Sequence, residues 1–179
     1  MSIVFRTLEA EEIDVRVQSV TEKGVILLLY KDARCDMNIL DEAVGITNWK
    51  REHCVINGNL FCTVSVWDEE KGQWISKQDV GTESNTEQTK GQASDSFKRA
   101  CVNLGIGREL YTAPFIQIWA DKCNIKPGRN GKFTCYDKFA VAKIRYNSKR
   151  QITHLAIRNL NTKQLVFTLM PPEEKGGAN

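Results

Sequence analysis

The sequence predicts an α+β fold: an antiparallel β-hairpin and a three-stranded meander packed on a long helix (a β-β-β-α core), with an added C-terminal β subdomain. Short segments of alternating apolar and polar residues, separated by turn residues, predict the antiparallel strands. Two segments with apolar residues at helical spacing predict the helices. With 179 residues, 41% of them hydrophobic and 26% charged, the chain is long enough to bury a core.

The first predicted elements are the hairpin and a short helix. Residues in Ile13–Val17 alternate between apolar and polar, and the apolar run Val25–Tyr30 follows a polar break, so this run is expected to be buried on both faces. Apolar residues then recur at helical spacing across Asp32–Val44. Gly45 follows as a natural helix stop.

Three strands form the predicted meander, over Trp49–Ile56, Leu60–Trp67 and Gln73–Val80. The first two are separated by Asn57-Gly58, a strong hairpin signal because both residues tolerate positive φ.

The long helix follows the meander. Ser84-x-x-Glu87 is a capping box, which predicts a helix start near Asn85 or Thr86. Apolar residues from Ala93 to Leu104 fall on one arc that would pack on the meander, and glycines at 105 and 107 end the helix.

The C-terminal region begins with a basic loop, Asp121–Lys132, and continues with strands over Phe133–Tyr146, Gln151–Asn159 and Leu165–Leu169. The predicted organisation is therefore a core over residues 1–111, a basic loop with C-terminal strands over 112–170, and a disordered tail over 171–179.

Charge is unevenly distributed along the chain. Residues 1–120 hold 13 Lys/Arg against 18 Asp/Glu, whereas residues 121–150 hold nine against two. A basic segment on a mildly acidic body favours a polyanionic partner. A solvated loop that happens to be basic is the alternative.

Several classes of protein are disfavoured by the sequence. The longest apolar run, Val25–Tyr30, is far short of a membrane span, and the N-terminal segment is acidic without an apolar signal core, so we expect a cytoplasmic protein. The six cysteines include no Cys-x-x-Cys pair, and only two histidines occur, which favours reduced, packed thiols over a metal site. Phosphate-binding loops, dinucleotide fingerprints and nucleophile elbows are absent, so neither a cofactor nor an enzymatic activity is expected.

Cations on the two helices are the candidate binding residues. Lys98 and Arg99 lie together on the long helix, Lys90 lies two turns earlier, and Arg108 lies one turn past its end. Such residues can neutralise phosphates, although a solvated helix face explains them equally well. Arg34 opens the first helix, where a cation opposes the macrodipole; either a ligand or pairing with an aspartate nearby would account for it.

The tryptophans are expected in the core. Trp49, Trp67 and Trp74 lie within strands, and core packing is favoured over base stacking for Trp119 and Tyr111. Phosphate contacts should therefore dominate nucleic-acid binding and make it strongly salt-dependent.

The order of these motifs resembles a known family. Gly45-x-x-x-Trp49, then Asp79-Val80-Gly81, then Lys90-x-x-x-Ser94-Asp95-x-x-Lys98-Arg99-Ala100 and Gly105 is similar to the annealing domain of the eukaryotic recombination mediator Rad-fifty-two. The fuller words Ser94–Ala100 and Gly105-Ile106-Gly107-Arg108-x-Leu110-Tyr111 resemble its relatives, the bacteriophage single-strand annealing proteins. The similarity runs from about Glu11 to Tyr111.

The resemblance implies an ATP-independent protein of DNA recombination and repair that forms rings or helical filaments and grips single-stranded DNA in a basic groove. The family's inner-groove cations correspond to Arg34, Lys98 and Arg99, with Lys90 at another basic helix position. Val102 stands where the eukaryotic pattern has arginine. For a second, outer site the resemblance leaves Lys71 or Lys77.

We therefore predict a phage-encoded protein of the bacterial cytoplasm that anneals complementary strands. A phage exonuclease and a host single-strand-binding protein are possible partners. A protein that coats single strands or loads a recombinase without annealing them is the first alternative. A metal-dependent DNA-processing enzyme and an oligomeric scaffold without DNA affinity are the others.

Overall fold

The computed structural model describes residues 3–82, 88–128 and 131–170, with side chains from residue 91 onward in the second range. It is a mixed α+β structure, mostly strands with two α-helices, and its sheets are antiparallel. The chain divides into two compact units, one over Met1–Leu8 and Lys31–Arg108 (the meander unit), the other over Glu9–Tyr30 and Glu109–Asn179 (the six-stranded unit).

The elements are, in chain order, β1 Ile13–Thr21, β2 Gly24–Lys31, α1 Ala33–Val44, β3 Trp49–Ile56, β4 Asn59–Asp68, β5 Gln73–Val80, α2 Gln88–Leu104, β6 Ile116–Trp119, β7 Ile125–Pro127, β8 Phe133–Cys135, β9 Phe139–Tyr146, β10 Ile152–Asn159 and β11 Leu165–Leu169. Short 3₁₀ turns cover Ala10–Glu12, Arg108–Thr112 and Ala120–Lys122.

The meander unit follows its sequence signals closely. Asp32 caps α1 by accepting a hydrogen bond from the Arg34 backbone N–H, and Gly45 ends the helix with φ of 85°. Strands β3, β4 and β5 form a three-stranded antiparallel sheet in that order. The β3–β4 turn has positive φ at both Asn57 (50°) and Gly58 (78°), which is the conformation that this dipeptide favours.

Helix α2 packs closely against the meander. Phe97 and Cys101 of the helix are buried, as are Cys62 and Val64 of the central strand. Gly81 makes the close approach possible, because a Cβ at this position would lie 2.1 Å from the Gln92 carbonyl oxygen of α2. The capping box predicted at residues 84–87 lies outside the described residues.

The six-stranded unit contains one sheet in the order β11-β10-β9-β1-β2-β6, together with the two-stranded ribbon β7-β8. Its buried side chains come from all six strands of the sheet: Ile13, Val25, Leu27, Ile116, Ile118, Phe139, Val141, Ile152, Leu155, Ile157 and Val166. At one edge, Gly24 allows β2 and β6 to approach, since a Cβ there would lie 2.1 Å from the Ile118 carbonyl oxygen.

The hairpin β1–β2 differs from its expected place. Prediction grouped it with the meander and long helix in a core ending at residue 111, whereas its strands pair with β9 and β6 in the six-stranded sheet. The run Val25–Tyr30 is buried on one face instead of both: Val25 and Leu27 are buried, Ile26 and Leu28 are half-buried, and Tyr30 is 37% exposed. The physical reason for the pairing is that the backbone N–H and C=O groups of β2 need a strand on each edge. The neighbours β1 and β6 supply those edges, and β6 was not predicted.

The predicted strand Phe133–Tyr146 is two strands, β8 and β9, separated by residues 136–138. The break is fixed by Asp137, whose carboxylate accepts hydrogen bonds from the Asn124 backbone N–H and the Asn159 side chain, both at 2.8 Å. The predicted tail, residues 171–179, lies outside the described residues. Within the described chain, neither helix combines the length and apolar character needed to cross a membrane.

Candidate nucleic-acid interface

The face of α2 that contacts the sheet fixes where its cations lie. Phe97 stacks on Trp49 of β3, with ring centroids 6.2 Å apart and an interplanar angle of 29°. The Arg51 guanidinium lies over the same Phe97 ring at 4.8 Å. Ser96, Ala100 and Cys101 are buried on this side. The next residues around the helix, Lys98 and Arg99, consequently lie at or beyond the edge of the contact.

Lys98 lies close to the start of α1. Hydrogen bonding from Arg34 is the main cause that lowers the pKa of Asp32, and burial is the main cause that raises the pKa of Asp36. The Lys98 charge is near enough to both carboxyls to add to the first shift and to oppose the second. The Lys98 carbonyl oxygen is 3.5 Å from Nζ of Lys31, the last residue of β2. Lys31, Asp32, Arg34, Asp36 and Lys98 therefore form one group of charges, which we name the α1–α2 cluster.

Within this cluster, Lys31 and Asp36 form a buried ion pair, with side chains 6% and 0% exposed. Burial raises the pKa of Asp36 to about 6, against the opposing effect of the Lys31 charge. Asp36 Oδ2 has no hydrogen-bond partner among the described residues. The pair is internal to the unit, so it positions the cluster instead of binding a ligand. Sequence reasoning missed Lys31, because no local pattern separates a buried lysine from a solvated one.

Arg34 is the most exposed cation of the α1–α2 cluster, at 82%. Of the two explanations for its position, pairing with Asp32 is present: its Nε and Nη2 lie 3.1 and 3.3 Å from the Asp32 carboxylate oxygens. Hydrogen bonding between these two side chains is the main cause that lowers the pKa of Asp32 and raises the pKa of Arg34. An exposed pair of this kind contributes little to stability, so the guanidinium remains available to an incoming phosphate.

Arg99 lies on a different side of α2 from Lys98. Its Nε is 3.4 Å from Asp79 Oδ1 of β5, and Asn103 donates to the other Asp79 oxygen at 3.1 Å. Lys77, two residues before Asp79, lies on the same face of the strand and is exposed. The structure thus places Arg99 and Lys77 toward the β5 edge of the unit, and Arg34 and Lys98 toward α1.

Arg108 has a structural role at the end of α2. Its guanidinium donates to the Val102 carbonyl oxygen at 2.9 and 3.2 Å and to that of Asn103 at 3.1 Å. Cations at a helix C-terminus satisfy its last carbonyls and complement the dipole. Arg108 is still exposed, but these hydrogen bonds hold its head group at the helix end.

The remaining predicted cations are apart from the α1–α2 cluster. Lys71 lies in the turn between β4 and β5, where its Nζ is 3.4 Å from Asp68 Oδ2. Lys90 lies in the first turn of α2, and its side chain is outside the described part. No group of three or more His, Cys, Asp or Glu side chains that could hold a metal ion occurs in the described ranges.

The expected burial of the aromatic residues was wrong for three of them, Tyr111, Trp119 and Trp74. Tyr111 is 74% exposed and Trp119 is 55% exposed. Trp119 ends β6, an edge strand of its sheet, and Tyr111 lies on a 3₁₀ turn, so neither has sheet on all sides. In the meander, Trp67 and Trp74 pack edge to face with centroids 5.5 Å apart, and Trp74 remains 40% exposed.

Comparison with known proteins points to a relative that binds DNA. No family model matches this chain. The chain is similar to a DNA-binding protein. The single-stranded DNA-binding protein DdrA of Deinococcus radiodurans is 37% identical to it over 102 residues. The match covers 54% of this chain and 45% of the relative, so the chain spans less than half of that protein's length.

Proposed function

We propose that this protein binds single-stranded DNA through its phosphates and anneals complementary strands without ATP. The α1–α2 cluster carries the proposal, because it brings Arg34 and Lys98, separated by 64 positions in sequence, to one place on the meander unit. The similarity over 102 residues to a single-stranded DNA-binding protein supports the same ligand. Annealing needs affinity that does not depend on sequence, and phosphate contacts provide it while leaving bases unread.

The proposal assigns different roles to the candidate cations. Arg34, Lys98 and Arg99 hold phosphates, with Lys90 and Lys77 extending the path along α2 and β5. Lys71, in the β4–β5 turn, contacts DNA outside this path. Arg108 fixes the end of α2 and contributes only long-range charge, because three hydrogen bonds engage its guanidinium.

The wider proposal concerns assembly and setting. The β-β-β-α arrangement of meander and long helix is the DNA-gripping part of an oligomeric ring or filament, since β3 and β5 are the edge strands of their sheet. We place the protein, without enzymatic activity of its own, in recombination or repair of a bacteriophage in the bacterial cytoplasm, beside an exonuclease and a host single-strand-binding protein. Subunit counting by light scattering tests the assembly.

The deciding experiment measures annealing of two complementary labelled oligonucleotides with EDTA present and without ATP. We expect acceleration well above the spontaneous rate, lost at high salt. Binding without acceleration would favour the alternative, a protein that coats single strands or loads a recombinase. Absence of any binding would refute the proposed ligand.

A charge variant tests the assigned groove. Lys98→Gln/Arg99→Gln leaves the Lys98 carbonyl that lies near Lys31 in place, so the fold should persist. If each residue neutralises one phosphate, the slope of log affinity against log salt falls by about 1.4, and affinity at 0.1 M salt falls roughly 25-fold. Lys50→Gln/Lys149→Gln is the matched control, since it removes two exposed charges elsewhere. Equal losses in both variants would refute the groove assignment.

A further inference from the structure

The six-stranded unit carries exposed aromatic and basic side chains that the proposed groove does not use. They lie on residues 119–128 and 131–138, a segment that contains the 3₁₀ turn Ala120–Lys122 and the ribbon β7-β8. Trp119 is 55% exposed and Tyr136 is 77% exposed. We name this segment the ribbon module.

Hydrogen bonds hold the ribbon module on one end of the six-stranded sheet. The buried Asn159 side chain, at the end of β10, donates to Asp137 at 2.8 Å and lies 3.5 Å from the Lys122 carbonyl oxygen. Next to the start of β2, the Ala120 N–H donates a hydrogen bond to the Lys23 carbonyl oxygen at 3.0 Å. The module is therefore an ordered surface, and its aromatic side chains are presented at fixed places.

The charge of the ribbon module is strongly positive. Its four described lysines, at 122, 126, 132 and 138, are all exposed, and none forms an ion pair with any residue that the structure describes. Of its two acidic residues, Asp137 is held by hydrogen bonds to Asn124 and Asn159, which leaves Asp121 as the solvated carboxylate. The surface therefore lacks internal compensation for its cations.

Aromatic rings among unpaired lysines match one kind of ligand best. The bases of a single strand stack on exposed rings, and its phosphates pair with neighbouring cations. A duplex hides its base faces, and an acidic peptide has no set of flat faces for two rings. We propose that the ribbon module is a second contact surface for single-stranded DNA, with Trp119 and Tyr136 stacking on bases. This extends the proposed function and rests on it for the ligand.

The test separates base stacking from phosphate binding by using two labelled probes of equal length. One is an oligothymidylate, and the other has the same backbone with most bases removed. The full chain should bind the thymidylate more tightly. Trp119→Leu and Tyr136→Leu should each weaken thymidylate binding by about fivefold or more, since about fivefold is the smallest effect expected for the loss of one stacked base. Neither variant should change binding of the abasic probe appreciably.

The controls use the opposite end of the same unit. Tyr111 is 74% exposed. Its neighbour Thr112 accepts a hydrogen bond from the Ile152 N–H at the start of β10. Asn159, which contacts the ribbon module, is at the other end of the same strand, roughly 24 Å away. Tyr111→Leu should therefore leave both probes unaffected. Lys126→Gln/Lys132→Gln should lower the salt slope by about 1.4 on both probes, whereas Lys50→Gln/Lys149→Gln should not.

The outcomes distinguish this inference from the function it extends. If module variants bind both probes like the original chain while Lys98→Gln/Arg99→Gln weakens them, the ribbon module is not a DNA surface and the groove stands. In that case an acidic protein partner becomes the better occupant. If the unmodified chain binds neither probe, both proposals fall. Tyr136→Leu remains decisive if Trp119→Leu lowers the melting temperature, because Tyr136 is the more exposed residue.

Discussion

The buried pair Lys31–Asp36 allows a sharp test of how the α1–α2 cluster is built. The pair is almost fully removed from solvent, with 6% and 0% of the side chains exposed. Only one Asp36 oxygen has a hydrogen-bond partner among the described residues. Desolvation of two charges is therefore offset incompletely. We predict that the pair destabilises the protein relative to apolar residues, although breaking it is worse.

The predicted magnitudes come from this burial. Asp36→Ala leaves the buried Lys31 ammonium without the carboxyl oxygen that accepts its hydrogen bond, an acceptor that a protonated Asp36 keeps, and should cost about 3–5 kcal/mol of unfolding free energy. Lys31→Met leaves a buried carboxylate without its counter-charge and should cost a similar amount of unfolding free energy. Protonation of Asp36 sets an upper limit to this cost. The double variant Lys31→Met/Asp36→Ala removes both desolvation penalties and adds a cavity worth about 1 kcal/mol. It should therefore be more stable than either single variant.

Urea unfolding of the full chain at constant pH measures these free energies. The double-mutant cycle gives the coupling between the two positions, which should be at least about 2 kcal/mol. A double variant whose loss equals the sum of the single losses would refute the reasoning, because additivity would mean that the charges do not depend on each other.

The pH dependence of stability shows whether burial or the Lys31 charge has the larger effect on the pKa of Asp36. The pKa of Asp36 is raised to about 6 by burial, above the value of about 3.9 for an unfolded aspartate. The folded state thus binds the proton more tightly, so this contribution is fully present below pH 4 and is lost as pH rises through 6, by about 3 kcal/mol. The stability of the original chain relative to Asp36→Asn should rise from pH 7 to pH 5. An unchanged relative stability over this range would refute the raised pKa, because an ion pair that outweighed desolvation would move the titration of Asp36 below pH 5.

Two further predictions concern the meander unit. Gly81→Ala should destabilise the chain by about 2 kcal/mol or more in urea unfolding, because its Cβ would lie 2.1 Å from the Gln92 carbonyl oxygen and 2.9 Å from the Ser96 nitrogen of α2; a loss below 0.5 kcal/mol would show that the helix can move away at little cost. Exposed Cys54 should give the fast phase of alkylation at pH 8, and Cys54→Ser should remove it. Buried Cys62 should react only on unfolding, since burial raises its pKa to about 11 and leaves about 0.1% thiolate at that pH.

Local signals account for the part of the fold that could be predicted. Asp32 caps α1 and Gly45 ends it because each suits the backbone at its own position. The Asn57-Gly58 turn fixes the register of β3 on β4 for the same reason. Such features depend on neighbours within a few residues, and the sequence displays those neighbours directly. The cations Lys98 and Arg99 were predicted in the same way, Lys98 at the edge of an apolar arc and Arg99 well away from it.

Long-range pairing accounts for what the prediction lacked. The sequence determined by itself the α+β class, the bounds of α1 and the meander strands, and the basic character of residues 121–150. Only the tertiary structure placed the hairpin β1–β2 beside β9 and β6, buried Lys31 against Asp36, and left Trp119 and Tyr136 exposed. The physical reason is that turns and caps are satisfied locally, whereas the burial of a side chain depends on which distant strand or helix covers it.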